Sequence, residues 1–294
     1  MNADKPIGVF DSGVGGLSVL RMIRRILPDE SVLYFADQAH VPYGPRPLEE
    51  VRGFSETIVR FLLEQGAKLV IVACNTASAA ALQYLRATFP DIPFVGMEPA
   101  VKLAAETTHT GVVGVLATPA TFQGALYASV VERFGGHTTL LQNTCPGLVQ
   151  QIELGQLDGN ETRNILESAL RPMLDRGIDT VVLGCTHYPF VIPLIQEIVG
   201  PAVRVIDPAP AVARQIARLL DSSGLRSAGN GRRPECSPER SRRRPAEGSG
   251  RLRFFTSGEA AQFEILLPKL LGETGEVQQI VWTDGGIRYS GDSS

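Results

Sequence analysis

Short apolar runs alternate with longer amphipathic segments along almost the whole chain. The apolar run "PIGVF" leads through a polar, glycine-rich turn into the helical pattern "LSVLRMIRRIL". The same order recurs from "SVLYFAD" to "LEEVRGFSETIVRFLLEQG" and from "KLVIVA" to "TASAAALQYLRATF". Strand, loop and helix repeating in this order predict right-handed βαβ units and a mostly parallel sheet. We therefore predict an α/β fold with helices flanking the sheets.

One of these predicted strands ends in a cysteine. The run "KLVIVA" contains no polar position after its first residue, as in a strand buried on both faces of a parallel sheet, and Cys74 follows it directly. In open α/β sheets, ligands bind at the carboxyl ends of the strands. Cys74 is therefore either a small buried core residue or a reacting group at a ligand site.

The chain also resembles itself. "IGVFDS" aligns with "VGVLAT", "VACNT" with "LGCTH", and "EPA" with "DPA", in the same order and at nearly constant separation. We interpret this pattern as two similar α/β units. Cys74 and Cys185 would then occupy equivalent strand ends and approach one ligand from opposite sides, and Thr118 would be the equivalent of Ser12. Packing alone gives no reason for a cysteine at matching positions of both halves.

Composition and charge exclude several function classes. The chain has 294 residues, enough for two domains, and a formal net charge of -3 with 20% charged residues, so it has no basic bias toward nucleic acid or membranes. No apolar run approaches the roughly 20 residues of a membrane span, and the first residues lack the pattern of a signal peptide. We expect a cytoplasmic protein. Its four widely spaced cysteines indicate reduced thiols rather than a disulfide framework.

A segment rich in Arg, Ser, Pro and Gly interrupts the α/β pattern at about residues 222–250. Because it contains few apolar residues, we predict a disordered surface insert. Its arginines also permit contact with nucleic acid, although a solvated insert is the favoured interpretation. Cys236 lies within it, which argues against a catalytic role for that thiol. After the insert, "LRFFTSGEAAQFEILLPKLLG" and "VQQIVWT" return to α/β patterning.

Two opposed thiols suit the inversion of a stereocentre. A thiolate on one face of a carbon removes a proton while a thiol on the other face returns one. An ordinary thiol has a pKa of about 8.5, so neighbouring groups must tune it. Near Cys74, the carboxylate of Asp11 can accept or orient the thiol proton, or it can simply cap the next helix. We expect Gly13, Gly15 and Gly16 to let backbone N–H groups approach an anionic ligand.

Near the second thiol, His187 follows Cys185 by two residues. An imidazole can exchange a proton with a thiol at neutral pH. The two side chains could instead bind a metal, but no second Cys/His pair has zinc-site spacing, so we predict no metal site. Glu153, on a predicted helix of the same half, is a candidate for orienting the imidazole.

Polar groups next to the thiols are candidates for substrate binding. Asn75, Thr76 and Thr186 can bind a carboxylate or an ammonium group. Tyr43 and Gly44 lie in the proline-rich loop "VPYGPRP", which cannot be helical and is suited to form a wall of the site. A capping or turn role is the alternative for each hydroxyl group.

Together, the motifs "FDSGVGGLSVL", "VPYG", "ACNTASA" and "GCTHYPF" resemble those of the glutamate racemases, a family of the cofactor-independent aspartate/glutamate racemase superfamily. The likeness runs from about Pro6 to the end of the chain, except for the insert. One departure is "VPYG", where the family more often has Tyr before Pro, although Tyr43 and Gly44 are retained. Rival interpretations are an aspartate or hydantoin racemase of the same fold, or a binding module acting through the insert.

The resemblance implies that the protein interconverts L- and D-glutamate for peptidoglycan synthesis without pyridoxal phosphate, metal or any other cofactor. It implies that Cys74 exchanges the α-proton on the D side, assisted by Asp11. It implies that Cys185 does so on the L side, assisted by His187 and Glu153. The family's substrate contacts fall on Asp11, Ser12, Tyr43, Gly44, Asn75, Thr76, Thr186 and His187, and the internal repeat adds Thr118.

The resemblance also implies the domain organisation. A second domain, residues 99–207, would be inserted into a first domain formed by residues 1–98 and 208–294, with the active site in the cleft between them. It further implies a homodimer. Contact with DNA gyrase or nucleic acid is an additional possibility for which no feature of the sequence identifies a surface.

Overall fold

A computed structural model describes residues 3–134, 136, 138–227 and 250–291. Its strands are β1 Ile7–Asp11, β2 Val32–Ala36, β3 Leu69–Val72, β4 Phe94–Gly96, β5 Val112–Ala117, β6 Thr139–Asn143, β7 Thr180–Gly184, β8 Arg204–Ile206, β9 Leu252–Thr256, β10 Val277–Thr283 and β11 Gly286–Tyr289. Its helices are α1 Leu17–Ile26, α2 Leu48–Glu64, α3 Asn75–Thr88, α4 Val101–Thr107, α5 Pro119–Gln123, α6 Ala125–Phe134, α7 Leu148–Glu153, α8 Asn160–Leu174, α9 Ile192–Val199, α10 Ala209–Ser222 and α11 Ala260–Leu270, with a 3-10 helix at Tyr188–Val191.

These strands form two sheets, and the strand order of the smaller sheet repeats within the larger one. The first has the order β11-β10-β9-β2-β1-β3-β4, and the second has the order β6-β5-β7-β8. The run β2-β1-β3-β4 of the first sheet therefore repeats as β6-β5-β7-β8 in the second. All described pairings are parallel except β10 with β11. The predicted α/β class with two similar, mostly parallel units is confirmed.

Burial on both faces explains the unbroken apolar strands. Every residue of β1 and β3 is buried. Val9 and Ile71 belong to the core cluster on one face of the first sheet, whereas Phe10 and Val70 belong to the cluster on the other face. A strand that packs on helices from both sides requires apolar residues at successive positions, because successive side chains point to opposite faces.

The proposed division into two domains stays a prediction, and the sheets supply its framework. Strands β1 to β4 and β9 to β11 lie within residues 1–98 and 208–294, and β5 to β8 lie within residues 99–207. Helix α10, which follows the second sheet in the chain, packs against α1 and β4. The chain thus returns to the first sheet after residue 207.

The predicted insert at residues 222–250 lies mostly outside the described residues, and so does Cys236. At its two ends the prediction is wrong. Ser222 is the last residue of α10, and the backbone N–H of Ser227 donates a hydrogen bond to Glu30 Oε1 at 2.8 Å. The N–H of Gly250 donates to the carbonyl oxygen of Pro28 at 2.9 Å. Along the described part of the chain, no helix is both long enough and apolar enough to cross a bilayer.

Candidate active site

Cys74 and Cys185 line one small cavity from equivalent strand ends. Cys74 follows β3 and Cys185 follows β7, the equivalent strands of the two sheets. Their exposed fractions are 4% and 5%. Of the predicted site residues, all but Asp11 and Glu153 line this cavity, whose lining is Ser12, Pro42, Tyr43, Gly44, Cys74, Asn75, Thr76, Thr118, Val149, Cys185, Thr186 and His187.

The Cys74 side chain caps the helix that follows it. Its Sγ accepts a hydrogen bond from the N–H of Ala77 at 3.5 Å and lies 3.9 Å from Ser12 Oγ, to which the thiol donates. Burial raises the pKa of Cys74 well above its usual range, and the negative charge of Asp11 raises it further against the opposing effect of the Ala77 N–H. Cys74 is therefore a protonated thiol at neutral pH, able to donate a proton into the cavity.

Asp11 lies behind the cavity and connects residues of both units. It is fully buried, its Oδ2 accepts from the N–H of Gly16 at 2.8 Å, and its Oδ1 accepts from Thr186 Oγ1 at 3.3 Å. Burial raises the pKa of Asp11, while the positive charge of His187 and the Gly16 N–H oppose that rise. The two alternatives for Asp11 are therefore compatible: it binds a backbone N–H just before α1, and it lies close to the thiol of Cys74.

On the other side, His187 lies between a thiol and a carboxylate. Its Nδ1 is 3.7 Å from Cys185 Sγ, and its Nε2 is 2.6 Å from Glu153 Oε1. Burial alone lowers the pKa of His187, but the hydrogen bonds and negative charge of Cys185 and Glu153 outweigh burial and raise it well above its usual range. The imidazole is thus held as a cation next to Cys185 Sγ.

The glycine-rich loop after β1 binds the protein's own carboxylates. The N–H of Val14 donates to Glu153 Oε1 at 2.8 Å. A Cβ on Gly13 would lie 2.0 Å from Glu153 Oε1, and a Cβ on Gly15 would lie 2.4 Å from His187 Nδ1. The expectation that this loop approaches an external anion is corrected for the N–H groups of Val14 and Gly16, because Glu153 and Asp11 occupy them. The glycines make room for the catalytic candidates.

The wall of the cavity contains an amide with unused hydrogen-bonding capacity. The Asn75 side chain is buried, and neither Oδ1 nor Nδ2 has a hydrogen-bond partner within the described residues. Since buried polar groups are nearly always paired, these atoms are available to a ligand. Thr76 Oγ1 lies 2.8 Å from Thr118 Oγ1, which also caps α5. A Cβ on Gly44 would lie 2.8 Å from Thr118 Cβ, so Gly44 permits close approach between the units.

Two residues that the sequence analysis missed follow β2 directly. Asp37 accepts a hydrogen bond from Tyr43 OH at 2.5 Å and another from Ser257 Oγ at 2.7 Å, which fixes the tyrosine in the cavity wall. Gln38 Nε2 donates to Glu153 Oε2 at 3.0 Å. The available signal was their position, since polar residues at the carboxyl end of a parallel strand lie at the ligand-binding edge of the sheet.

The metal-ligand alternative for Cys185 and His187 lacks a third ligand. Within the described ranges, no group of three or more His, Cys, Asp or Glu side chains is arranged to hold a metal ion. Cys185 Sγ contacts His187 Nδ1, and the other ring nitrogen, Nε2, is hydrogen-bonded to Glu153.

Comparisons with known proteins agree with this geometry. Residues 7–216 match the family described as Asp/Glu/Hydantoin racemase. A curated glutamate racemase of Pseudomonas aeruginosa is 48% identical over 275 residues, which cover 94% of this chain and 97% of that protein. The structure of glutamate racemase from Francisella tularensis in complex with D-glutamate is 28% identical, with a TM-score of 0.78 and coverage of 96% of this chain and 99% of that one. The structure of Escherichia coli glutamate racemase in complex with L-glutamate and activator UDP-MurNAc-ala is 30% identical, with a TM-score of 0.75 and coverage of 94% and 97%.

Proposed function

The chain belongs to the Asp/Glu/Hydantoin racemase family, and on that premise we propose that it interconverts L-glutamate and D-glutamate through two thiols on opposite faces of the α-carbon. The observation that carries the proposal is that Cys74 and Cys185 line one cavity from equivalent strand ends of two similar sheets. The choice of glutamate is supported by the names of the similar proteins and by the D- and L-glutamate held in two of their structures.

In the direction from L to D, the thiolate of Cys185 removes the α-proton. The neighbouring His187 cation stabilises the thiolate before it reacts. The thiol of Cys74, protonated in the resting protein, then donates its proton to the opposite face of the same carbon. One C–H bond breaks and another forms, so the stereocentre inverts and the charge passes from Cys185 to Cys74. In the reverse direction Cys74 is the base, and Asp11, whose charge disfavours the Cys74 thiolate, assists by accepting the thiol proton.

Substrate binding is assigned to the polar lining of the cavity. The unpaired amide of Asn75 can both donate to a carboxylate and accept from an ammonium group. Asp11 lies behind the cavity and contributes its negative charge. The remaining proposed contacts come from the lining itself: Ser12, Tyr43, Gly44, Thr76, Thr118, Thr186 and His187.

The activity is tested by following the circular dichroism of L-glutamate or D-glutamate incubated with freshly reduced protein and no added cofactor. The signal should decay to zero from either enantiomer, because a racemase brings both to the same mixture. Persistent optical activity overturns the proposal. Aspartate and a hydantoin serve as comparison substrates, since a pocket distinguishes one methylene group by only about 1 to 3 kcal/mol. Equal turnover of aspartate would displace glutamate as the proposed substrate.

The roles of the thiols are tested with Cys74→Ser and Cys185→Ser. Both variants should nearly abolish racemisation, because a serine hydroxyl is far less acidic than a thiol. A glutamate analogue with a leaving group on the β-carbon needs only one base, since that group departs with its electron pair as the α-proton is removed. C74S should therefore still eliminate from the L analogue through Cys185, and C185S from the D analogue through Cys74. Equal loss on both enantiomers in both folded variants contradicts the two-face mechanism.

We further propose that the product D-glutamate supplies peptidoglycan synthesis, and that the protein acts in the cytoplasm as a homodimer. The resemblance of the sequence supports these statements. Light scattering coupled to size exclusion tests the dimer, and a mass of 31.7 kDa would identify a monomer instead. Restoration of growth by external D-glutamate in cells depleted of the protein tests the biosynthetic role.

A further inference from the structure

Gln38 does not line the cavity, but its side chain reaches the carboxylate that binds His187. Its Nε2 donates to Glu153 Oε2 at 3.0 Å, while Glu153 Oε1 faces His187 Nε2 at 2.6 Å. Gln38 follows β2 of the first sheet, whereas Glu153 ends α7 in the unit of the second sheet. This hydrogen bond therefore joins the two units directly behind the Cys185 half of the site.

The orientation of the Gln38 amide is determined by its neighbours. Gly258 N–H donates to Thr256 Oγ1 at 3.0 Å, so the hydroxyl proton of Thr256 is free to be donated to Gln38 Oε1, 2.8 Å away. A flipped amide would place its NH₂ group against Thr256 and its oxygen against the carboxylate of Glu153. The arrangement therefore presents the NH₂ group of Gln38 to Glu153.

The Glu153 carboxylate accepts hydrogen bonds from both of its sides, so the direction of donation reverses there. Glu153 accepts from Gln38, from the N–H of Val14 and from His187, so the Nε2 proton of the His187 imidazolium is the one donated to Glu153. The remaining nitrogen, Nδ1, faces Cys185 Sγ at 3.7 Å. A single series of hydrogen bonds thus runs from the backbone at Gly258 to the reacting sulfur.

Strand register explains why these residues meet. Ala36, the last residue of β2, pairs with Thr256, the last residue of β9. The side chain of Thr256 is fully buried beside Gln38. A Cβ on Gly258 would lie 2.8 Å from Gln38 Cβ, so the absence of a side chain there permits the close approach.

We propose that Gln38, held by Thr256, is a positioning residue for the Cys185 half of the reaction. It orients the Glu153 carboxylate so that His187 presents Nδ1 to Cys185, and it has no corresponding contact with Cys74. The inference rests on the proposed two-thiol function. Its specific consequence is an asymmetric effect, because only the half-reaction that uses Cys185 depends on this series of hydrogen bonds.

The test uses Gln38→Met and Thr256→Val, which keep the approximate shape of each side chain but remove its hydrogen bonds. Thr256→Ser keeps the hydroxyl and is the rescue variant. Gln142→Met is the matched control, because the Gln142 amide donates to Tyr127 OH at 3.0 Å away from the cavity. For each variant we would measure elimination from the L and D analogues, the melting temperature, and the NMR shift of the His187 Nε2 proton.

We expect Q38M to slow elimination from the L analogue by about tenfold or more, since a hydrogen bond to a charged group is lost, and to leave the D analogue within about twofold. T256V should act in the same direction, and T256S and Q142M should resemble the unmodified protein. The Nε2 proton should shift in Q38M and T256V only. Equal slowing on both enantiomers, or no slowing and no NMR shift, overturns the inference.

The NMR measurement separates this inference from the proposed function. If the unmodified protein fails to racemise glutamate but the Nε2 proton shifts as expected, the two-thiol function is overturned while Gln38 still orients the Glu153 and His187 pair. If racemisation proceeds and the proton does not move, only the role of Gln38 is overturned.

Discussion

Replacing Glu153 with glutamine tests how far the charge of this residue, rather than its shape, sets the pKa of His187. The carboxylate binds His187 Nε2 at 2.6 Å and the N–H of Val14 at 2.8 Å, and an amide oxygen can accept both hydrogen bonds. It cannot balance the positive charge of the imidazole. The new amide nitrogen would also face Gln38 Nε2, and this contact between two donors adds a cost that does not depend on the charge of His187.

The magnitude follows from replacing a hydrogen bond to a charged group with a neutral one. A hydrogen bond to a charged group contributes about 1.5 to 3 kcal/mol and a neutral one about 0.5 to 1.5 kcal/mol, so E153Q should lose roughly 1 to 1.5 kcal/mol from the pair with His187. Solvent screens little of this interaction, since His187 is 2% exposed and Glu153 is 9% exposed. One pKa unit corresponds to about 1.4 kcal/mol, so the pKa of His187 should fall by about one unit.

The sign of the pH dependence follows from the raised pKa of His187 in the folded protein. The stabilisation from the pairing of the His187 cation with Glu153 is fully present below the unfolded-state pKa of histidine, about 6.5. It is lost as the pH rises through the folded-state pKa of His187. The difference in unfolding free energy between E153Q and the unmodified protein should therefore be larger near pH 6 than at a pH above the folded-state value. The cost of the contact with Gln38 stays constant over this range.

Two measurements check this prediction. Urea unfolding at the two pH values gives the free-energy difference, and proton NMR titration of the four histidines gives the pKa of His187, assigned with His187→Asn. Glu167→Gln is the matched control, because Glu167 pairs with Arg171 on the surface. An unchanged pKa of His187 in E153Q, or a stability loss that is the same at both pH values, would refute the assignment of His187 as a cation bound to Glu153.

Three further predictions concern packing, a buried ion pair and the insert. Gly15→Ala should slow elimination from the L analogue more than from the D analogue, because the new Cβ would lie 2.4 Å from His187 Nδ1; equal effects on both enantiomers would contradict this geometry. Lys68→Met should lower the urea unfolding free energy by about 3 to 5 kcal/mol, because it leaves the buried carboxylate of Glu30 without its cation 2.6 Å away. Adding Glu30→Gln should recover part of that loss, and fully additive losses would argue against the pair. Replacing residues 228–249 with a short Gly/Ser linker should leave racemisation of glutamate unchanged, whereas loss of activity in the folded variant would assign the insert a catalytic or structural role.

The sequence predicted the features that depend on local patterns. The strands β1 and β3 match the apolar runs, because burial on both faces makes such runs distinct from amphipathic helices. The polar residues at strand ends, such as Asp11 and Cys74, were recognised because parallel strands place their carboxyl ends at one edge. The cavity does bring the two thiols together, as the internal repeat led us to expect.

Contacts between distant parts of the chain could not be predicted in this way. The meeting of Gln38 with Thr256 depends on the pairing of β2 with β9, strands separated by most of the chain, and no local pattern encodes that register. The glycines after β1 were assigned to an external anion because a glycine-rich turn before a helix is a common anion site. Their actual partner there, Glu153, lies on α7 and is identified only by the folded structure.

The internal repeat preserves the two thiols but not the groups that assist them. In the alignment of "VACNT" with "LGCTH", His187 corresponds to Thr76, and in that of "IGVFDS" with "VGVLAT", Asp11 corresponds to Ala117. The thiol of Cys74 therefore lies beside a carboxylate that favours its protonated form, while Cys185 lies beside the His187 cation. Two identical thiol environments would favour the same protonation state in both halves, whereas racemisation requires one base and one acid at the start of each turnover. The divergence of the two halves supplies that difference, and each turnover exchanges the two roles.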